Sequence, residues 1–148
     1  MTIQLSLTQK ILKFLLGGAL LTAGITHLTV ARTEFLAQVP DWVPLDPDLT
    51  VLISGVVEIS LGLILIFKMK KAYQIGIVTA LFFIAVFPGN ISQYLNGIDA
   101  FGLDTDHSRL IRLFFQPVLC LWALYSTGGI TYLMTAASKS KSNHEKTS

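Results

Sequence analysis

The chain has 148 residues, of which 52% are hydrophobic and 14% are charged. Soluble domains carry roughly 25% charged residues, so this composition excludes an ordinary soluble protein and indicates an integral membrane protein in contact with the lipid bilayer. The formal net charge of +2 is small and its Lys and Arg residues are spread over short loops, which gives no support for nucleic-acid binding. A single cysteine, Cys120, excludes an internal disulfide and a thiolate metal cluster within one chain, and no metal site is expected.

The length and the apolar runs predict one membrane domain over residues 1–137. A helix needs about 20 mostly apolar residues to cross a bilayer, and four such runs occur. They lie at about residues 11–30, 49–67, 72–87 and 110–134. Between the first two runs, three prolines prevent a long helix and apolar side chains suit the headgroup region. The predicted fold is therefore an all-α, four-transmembrane-helix bundle with an interfacial hairpin between helices 1 and 2.

The ends of the third and fourth runs carry further predictions. Pro88 and Gly89 are expected to end the third helix at Phe87, because proline removes a backbone donor and disfavours the α conformation of the preceding residue. Asn90 would then lie at a helix break, and such a break at membrane depth usually lines a cavity. Residues 138–148 are rich in Ser, Lys and Asn and are predicted to form a disordered cytoplasmic tail.

The distribution of basic residues predicts the orientation in the membrane. All eight lysines lie near the N-terminus, between the second and third runs, or in the tail, whereas the three arginines lie on the opposite side. Segments rich in Lys and Arg stay in the cytoplasm. Both termini are therefore expected to be cytoplasmic, with the chain integral to the plasma (inner) membrane.

Glu58 stands at the middle of the second apolar run, where an acidic side chain costs a few kcal/mol or more. At about 100° per residue it shares a helix face with Gly55 and Gly62, so it is expected to point into the bundle. One interpretation is a functional group. The alternative is a neutral acid or an ion pair that only fixes how the helices pack.

Four other polar side chains are expected to meet Glu58 in the outer half of the bundle. Gln116 lies about 12 Å along its helix and Glu58 about 13 Å along its own, so the two share a depth. Arg112 is the expected ion-pair partner of Glu58, whereas Arg109 is expected to extend to the membrane surface. Hydrogen bonding between helices is the alternative role for these side chains. The predicted ligand-binding pocket comprises His27, Glu58, Asn90, Arg112 and Gln116.

Several segments of the predicted helices also carry a family resemblance. They are AGITH, SGVVEISLGL, ALFFIAVFPGN and RLFFQPVLCLWAL, with two VP pairs in the hairpin. Together, over residues 18–125, they resemble the DoxX-like family of small four-helix membrane proteins. The resemblance implies a four-helix bundle, an association with membrane oxidoreductase complexes, and importance for six positions of this chain: His27, Glu58, Pro88, Asn90, Arg112 and Gln116.

Two functions of different classes follow as expectations. The first is a redox-associated subunit whose pocket holds a quinone or a similar amphipathic molecule, with electrons supplied by a membrane oxidoreductase partner or a bound cofactor. The second is an assembly or interaction protein without catalytic activity, in which small helix faces dock other membrane helices or a second copy of the chain. Proton-coupled transport or lipid binding is a third interpretation of the same buried carboxylate. The sequence names no reaction.

Overall fold

The computed structural model describes residues 3–68 and 70–147, with side chains up to residue 141. In these residues, six helices follow one another: α1 (Leu7–Leu28), α2 (Arg32–Leu36), α3 (Pro47–Phe67), α4 (Ala72–Leu95), α5 (Asp106–Ser126) and α6 (Gly129–Thr147). Helices α1, α3 and α4 are long and apolar enough to cross a membrane, and a fourth span results if α5 and α6 count as one. The prediction of an all-helical membrane protein is confirmed.

Capping residues explain where three of the long helices begin. The Ser6 side chain accepts the Gln9 N–H while the Gln9 side chain accepts the Ser6 N–H, which forms a capping box at the start of α1. Thr105 and Ser108 form the same kind of box at the start of α5. Pro47 occupies the first turn of α3, where its missing N–H costs nothing. These starts are therefore specified by local sequence.

Helices α1 and α3 form a closely packed antiparallel pair through four glycines. A Cβ atom at Gly24 would lie 2.6 Å from the carbonyl oxygen of Gly55, and one at Gly62 would lie 2.7 Å from that of Gly17. No larger residue permits this approach, and small residues are what bring transmembrane helices close. The prediction that Gly55 and Gly62 share the packed face of α3 with Glu58 is confirmed, since all three residues are buried and Glu58 is only 8% exposed.

Helices α4 and α5 form the second pair, and one hydrophobic core joins it to the first. The core residues are Leu16 and Leu20 of α1, Leu61 and Leu65 of α3, Ala80 and Phe83 of α4, and Ala123 of α5. A cavity lies between the two pairs at the end of the bundle that carries the segment between α1 and α3.

Helix α4 passes through Pro88 and continues to Leu95, so the predicted end at Phe87 is wrong. Proline cannot donate to the carbonyl four residues earlier, that of Ile84. A side chain of the neighbouring helix supports this region, because the Gln116 amide donates to the adjacent carbonyl of Phe83. Freed or weakened backbone groups at membrane depth are tolerated when neighbouring helices satisfy them. Asn90 consequently lies within a continuous helix.

The last predicted span, residues 110–134, is divided by a sharp turn. Helix α5 ends at Ser126, and α6 leaves at an angle of 77° to it. Gly128 has φ of +77°, the left-handed conformation that ends helices and that glycine adopts without a steric penalty. Helix α6 then extends to Thr147 and includes residues for which disorder was predicted, while residue 148 lies outside the described part of the chain.

A fully buried lysine joins α1 to the end of α3. Lys13 has no exposed surface, and its Nζ donates to the carbonyl oxygens of Leu65 and Lys68, the latter at 3.2 Å. The last carbonyls of a helix have no partner within the helix and carry partial negative charge. The Lys13 ammonium group therefore provides hydrogen bonds to free carbonyl oxygens at the end of α3. These oxygens in turn stabilise its charge.

Candidate functional site

A cavity of about 610 Å³ lies between the two helix pairs, beneath the segment of residues 29–46. Most of its wall is apolar, with Leu20 of α1, Phe83 of α4 and Leu119 of α5 among the lining residues. All five predicted pocket residues line this one cavity: His27, Glu58, Asn90, Arg112 and Gln116. The structure thus brings them together, and their role in ligand binding stays a prediction.

The Glu58 carboxylate faces the ring of His27, across the α1–α3 contact. Its Oε2 lies 2.9 Å from His27 Nδ1, and the same nitrogen lies 2.9 Å from the carbonyl oxygen of Ala23. One ring N–H cannot serve both acceptors with good geometry, and Oε2 of Glu58 is left without a hydrogen-bond partner. Glu58, which lines the cavity, therefore has a buried carboxyl oxygen with no hydrogen-bond partner among the described residues.

The predicted Glu58–Arg112 ion pair is wrong, because His27 occupies the place beside the carboxylate. Gly24 lies three residues before His27, and Gly55 lies three residues before Glu58. The close contact between these two glycines is therefore about one helical turn from both side chains. A Cβ atom at Gly55 would lie only 2.9 Å from the Cβ of His27. The short distance between α1 and α3 that these glycines permit thus makes His27, and not Arg112, the partner of Glu58.

Arg112 instead lies in the part of the cavity wall beneath the segment of residues 29–46. Its Nη2 donates to Oε1 of Gln38 at 3.2 Å, and its guanidinium carbon lies 4.4 Å from the centroid of the Phe101 ring. A guanidinium group over an aromatic face gains cation–π attraction of about 0.5–2 kcal/mol. Arg112 is therefore held at the cavity wall by a neutral amide and a ring.

A row of contacting aromatic rings connects Arg112 to His27 beneath this segment. Phe35 stacks on the His27 ring with centroids 3.3 Å apart, and meets the edge of Phe101 with centroids 4.6 Å apart. Phe35 was predicted only as a residue of the headgroup region, and Phe101 was not identified. Neither residue lies in an apolar span, so no periodic pattern marked it.

Buried amides and an ion pair fix the segment of residues 29–46 over the cavity. Gln38 Nε2 donates to Oε1 of Gln93 at 2.6 Å, and Gln93 Nε2 is within 3.3 Å of two carbonyl oxygens in the loop after α4. Both glutamines are buried. At the other end of the segment, Arg32 pairs with Asp48, and this hydrogen bond raises the pKa of the Arg32 guanidinium. Sequence analysis missed Gln38 and Gln93, although polar amides in so apolar a chain are a detectable signal.

On the opposite wall, Asn90 and Gln116 tie α4 to α5. Asn90 Nδ2 donates to Oε1 of Gln116 at 3.0 Å, and Gln116 Nε2 donates to the carbonyl of Phe83. Interhelical amide hydrogen bonds of this kind contribute roughly 0.6–2 kcal/mol each. Gln116 is thereby engaged at both ends of its amide. Asn90 keeps its carbonyl oxygen for another donor, since that atom has no hydrogen bond within the described residues.

Arg109, predicted to extend to the membrane surface, is buried within the protein. It is only 6% exposed, and it pairs with Asp99 and Asp106 while its Nε donates to the carbonyl oxygen of Ile98 at 3.2 Å. The loop after α4 thus wraps around this guanidinium group. Arg109 organises the loop beside the cavity and does not line the cavity itself.

Comparison with known proteins assigns a family but no activity. A family model described as "Domain of unknown function (DUF8561)" matches residues 16–127. No curated protein and no solved structure matches the chain. The matching family model is not that of the DoxX-like family, which overturns the resemblance drawn from the helix segments. The functional associations implied by that resemblance are therefore not carried over.

Proposed function

The chain belongs to the family of the domain of unknown function DUF8561, and we propose that it is an integral membrane protein that binds a small amphipathic molecule in the cavity between its helix pairs. A quinone is the ligand class that we test first. It combines an apolar body with carbonyl oxygens that accept hydrogen bonds. The wall offers donors for such oxygens in Arg112 and the Asn90 amide.

The size and lining of the cavity support this proposal. Small-molecule sites typically enclose about 300–1,000 Å³ within mainly apolar walls that carry a few convergent polar groups. The cavity has about 610 Å³ and such walls. Ile111 and Phe115 line it although they are 47% and 59% exposed on α5. Both side chains thus extend from the cavity to the apolar outer surface of the bundle, which suits entry of a ligand from the lipid phase.

The observation that carries the proposal is the unpartnered Oε2 of Glu58. A buried polar atom without a hydrogen bond costs roughly 1–3 kcal/mol, and native proteins rarely leave one without a reason. Glu58 lines the cavity, so a small movement of its side chain would bring this buried oxygen to a bound ligand. A ligand hydroxyl, such as that of the quinol form of a quinone, would then donate a hydrogen bond and remove the penalty.

A quinone at this position would give the protein a redox-associated role. Reduction of a quinone to a quinol takes up two electrons and two protons. Glu58 and His27 are the groups of the cavity that can exchange protons with a ligand oxygen. The electrons would come from a membrane oxidoreductase partner, because the proposal gives this chain the ligand site and the proton-exchanging groups.

We also propose four membrane crossings, with α5 as the fourth and both termini in the cytoplasm of a plasma (inner) membrane. The support is the distribution of basic residues, with all eight lysines at one end of the helices. This orientation places the cavity in the outer half of the bundle. Helix α6, bent by 77° from α5, would then lie near the cytoplasmic surface.

Native mass spectrometry of the gently extracted protein tests ligand binding. We expect a small amphipathic molecule to co-purify and a short-chain quinone to raise the thermal unfolding temperature. Ala19→Phe fills the cavity and should abolish both effects, whereas Ala137→Phe on the exposed side of α6 should retain them. If no molecule co-purifies and quinone stabilises no variant, the polar cluster serves only packing, and an assembly role becomes the better account.

A further inference from the structure

Arg112 differs from the other two arginines of the chain in having no acidic partner. Arg32 and Arg109 each form ion pairs with aspartate side chains. Arg112 forms none within the described residues, and its hydrogen bond to another side chain goes only to the neutral amide of Gln38. A guanidinium group carries five N–H donors. Several donors of Arg112 are therefore unused, and this side chain lines the cavity.

The acidic groups near the cavity form no ion pair with Arg112 among the described residues. Glu58 pairs with His27, 2.9 Å away. Glu34 attracts Arg112 electrostatically from beyond ion-pair distance, and its Oε2 accepts the Phe101 N–H. The cavity wall therefore presents a guanidinium group that has unused donors and no direct anionic contact within the described residues.

We propose that the cavity prefers an amphipathic anion, whose carboxylate or phosphate oxygens are bound by Arg112, to a neutral amphipathic molecule. This inference rests on the proposed function and names the headgroup chemistry of the same site. The planar guanidinium group matches the oxygens of a carboxylate or a phosphate and can bind two of them at once. A half-buried cation beside an apolar cavity is stabilised by a direct anionic contact, which such a ligand supplies to Arg112.

The position of Arg112 also defines where the apolar chain of the ligand runs. Ile111 and Phe115, on the same helix as Arg112, also line the cavity and are 47% and 59% exposed, so both belong to its exposed edge. A headgroup at Arg112 directs its chain either along the apolar interior wall or out between these two side chains into lipid. Both paths suit a single acyl chain.

Matched probes that share one chain and differ in the headgroup test the inference. We would measure the binding of oleate, oleyl phosphate and oleyl alcohol, with a short-chain quinone as a neutral reference, to the purified full chain in an uncharged detergent. The variants are Arg112→Gln, which removes the charge, and Arg112→Lys, which keeps it. Arg32→Gln is the control, since this arginine pairs with Asp48 outside the cavity.

Oleate or oleyl phosphate should bind the native protein about tenfold or more tightly than oleyl alcohol. Arg112→Gln should lose this preference while binding the alcohol as before, Arg112→Lys should keep most of it, and Arg32→Gln should not change it. The tighter of the two anions tells a fatty acid from a lipid phosphate. Equal affinity for anion and alcohol in the native protein, or an unchanged preference in Arg112→Gln, overturns the inference but leaves the proposed function standing. Failure of all four probes to bind overturns both.

Discussion

At the scale of single residues, the most consequential contact is the buried pair of Glu58 and His27. Both side chains are at least nine-tenths buried, and a 2.9 Å separation places them in direct contact. Removing one member of a buried pair leaves the other without compensation, which typically costs about 3–5 kcal/mol. The pair is therefore both a structural element and the most reactive part of the cavity wall.

Substitution of Glu58 separates these two roles. Glu58→Ala should lower the free energy of unfolding by about 3 kcal/mol, because it leaves His27 unpaired and creates a void. Glu58→Gln keeps the volume and one acceptor oxygen, and should lose only about 1 kcal/mol. Unfolding of the purified protein in mixed micelles by SDS measures both values. Asp104→Ala and Asp104→Asn on the exposed loop are the controls.

The same variants bear on chemistry. If Glu58→Gln retains ligand binding as well as stability, the negative charge has no function and hydrogen bonding suffices. Equal losses of stability in Glu58→Gln and Glu58→Ala would contradict the expectation that the volume and polarity kept by Gln preserve most of the stability. Loss of ligand binding in Glu58→Gln at nearly native stability would support proton exchange with the ligand.

At the scale of elements, the glycines of α1 and α3 control the geometry of the site. The Cβ position of Gly24 is blocked by backbone atoms, at 2.6 Å from the Gly55 carbonyl oxygen and 2.9 Å from the Ile59 nitrogen. Backbone atoms cannot move aside as a flexible side chain can. Any larger residue at Gly24 must therefore push the helices apart, and with them His27 and Glu58.

Gly24→Ala and Gly18→Ala form a matched pair on one helix. Gly24→Ala should destabilise the protein by about 1–3 kcal/mol through overpacking. No atom lies within 4 Å of the Cβ position of Gly18, so Gly18→Ala should be neutral or stabilise by up to about 1 kcal/mol. SDS-induced unfolding compares them directly. Similar effects of the two substitutions would refute the close-packing account.

A second feature at the scale of elements is that α4 continues through Pro88. Pro88 and Gly89 predict a helix end by local rules, yet the helix runs on to Leu95. Rules based on local sequence take account of the N–H group that proline lacks. They do not take account of the Gln116 amide, which belongs to a neighbouring helix and donates to the carbonyl of Phe83 in this region. The error in the predicted boundary thus marks a place where tertiary contacts override local preference.

At the scale of the whole molecule, two helix pairs enclose a cavity under a roof formed by residues 29–46. The roof is joined to α4 through Gln38 and Gln93 and to α5 through Arg112. Its helix α2 has five residues, and Phe35 of this helix stacks on His27 and contacts the edge of the Phe101 ring. Hydrogen bonds and this aromatic contact together hold the roof over the cavity.

Cysteine labelling tests the proposed orientation of the whole chain. In a Cys120→Ser background, a cysteine at Asp104 should react with a membrane-impermeant maleimide on intact cells. A cysteine at Ser140 should react only after permeabilisation. Both positions are exposed, so differences in labelling report the side of the membrane. The reverse pattern would place the termini and the cavity on the opposite sides from those proposed.

The sequence by itself determined the membrane class, the faces of the helices and the polar residues that meet in the cavity. These properties follow from composition and from helical periodicity, which assign each residue a depth and a direction. His27, Glu58 and Arg112 stood out because polar side chains are rare in apolar spans.

Only the tertiary structure decided which of these side chains are partners. Glu58 meets His27 and not Arg112 because glycine contacts set the distance between α1 and α3. The roof residues Phe35 and Gln38, and Phe101 in the loop after α4, belong to segments without periodicity, so no local pattern places them over the cavity. Pairing depends on the distances between elements that are far apart in sequence, and those distances are properties of the packed molecule.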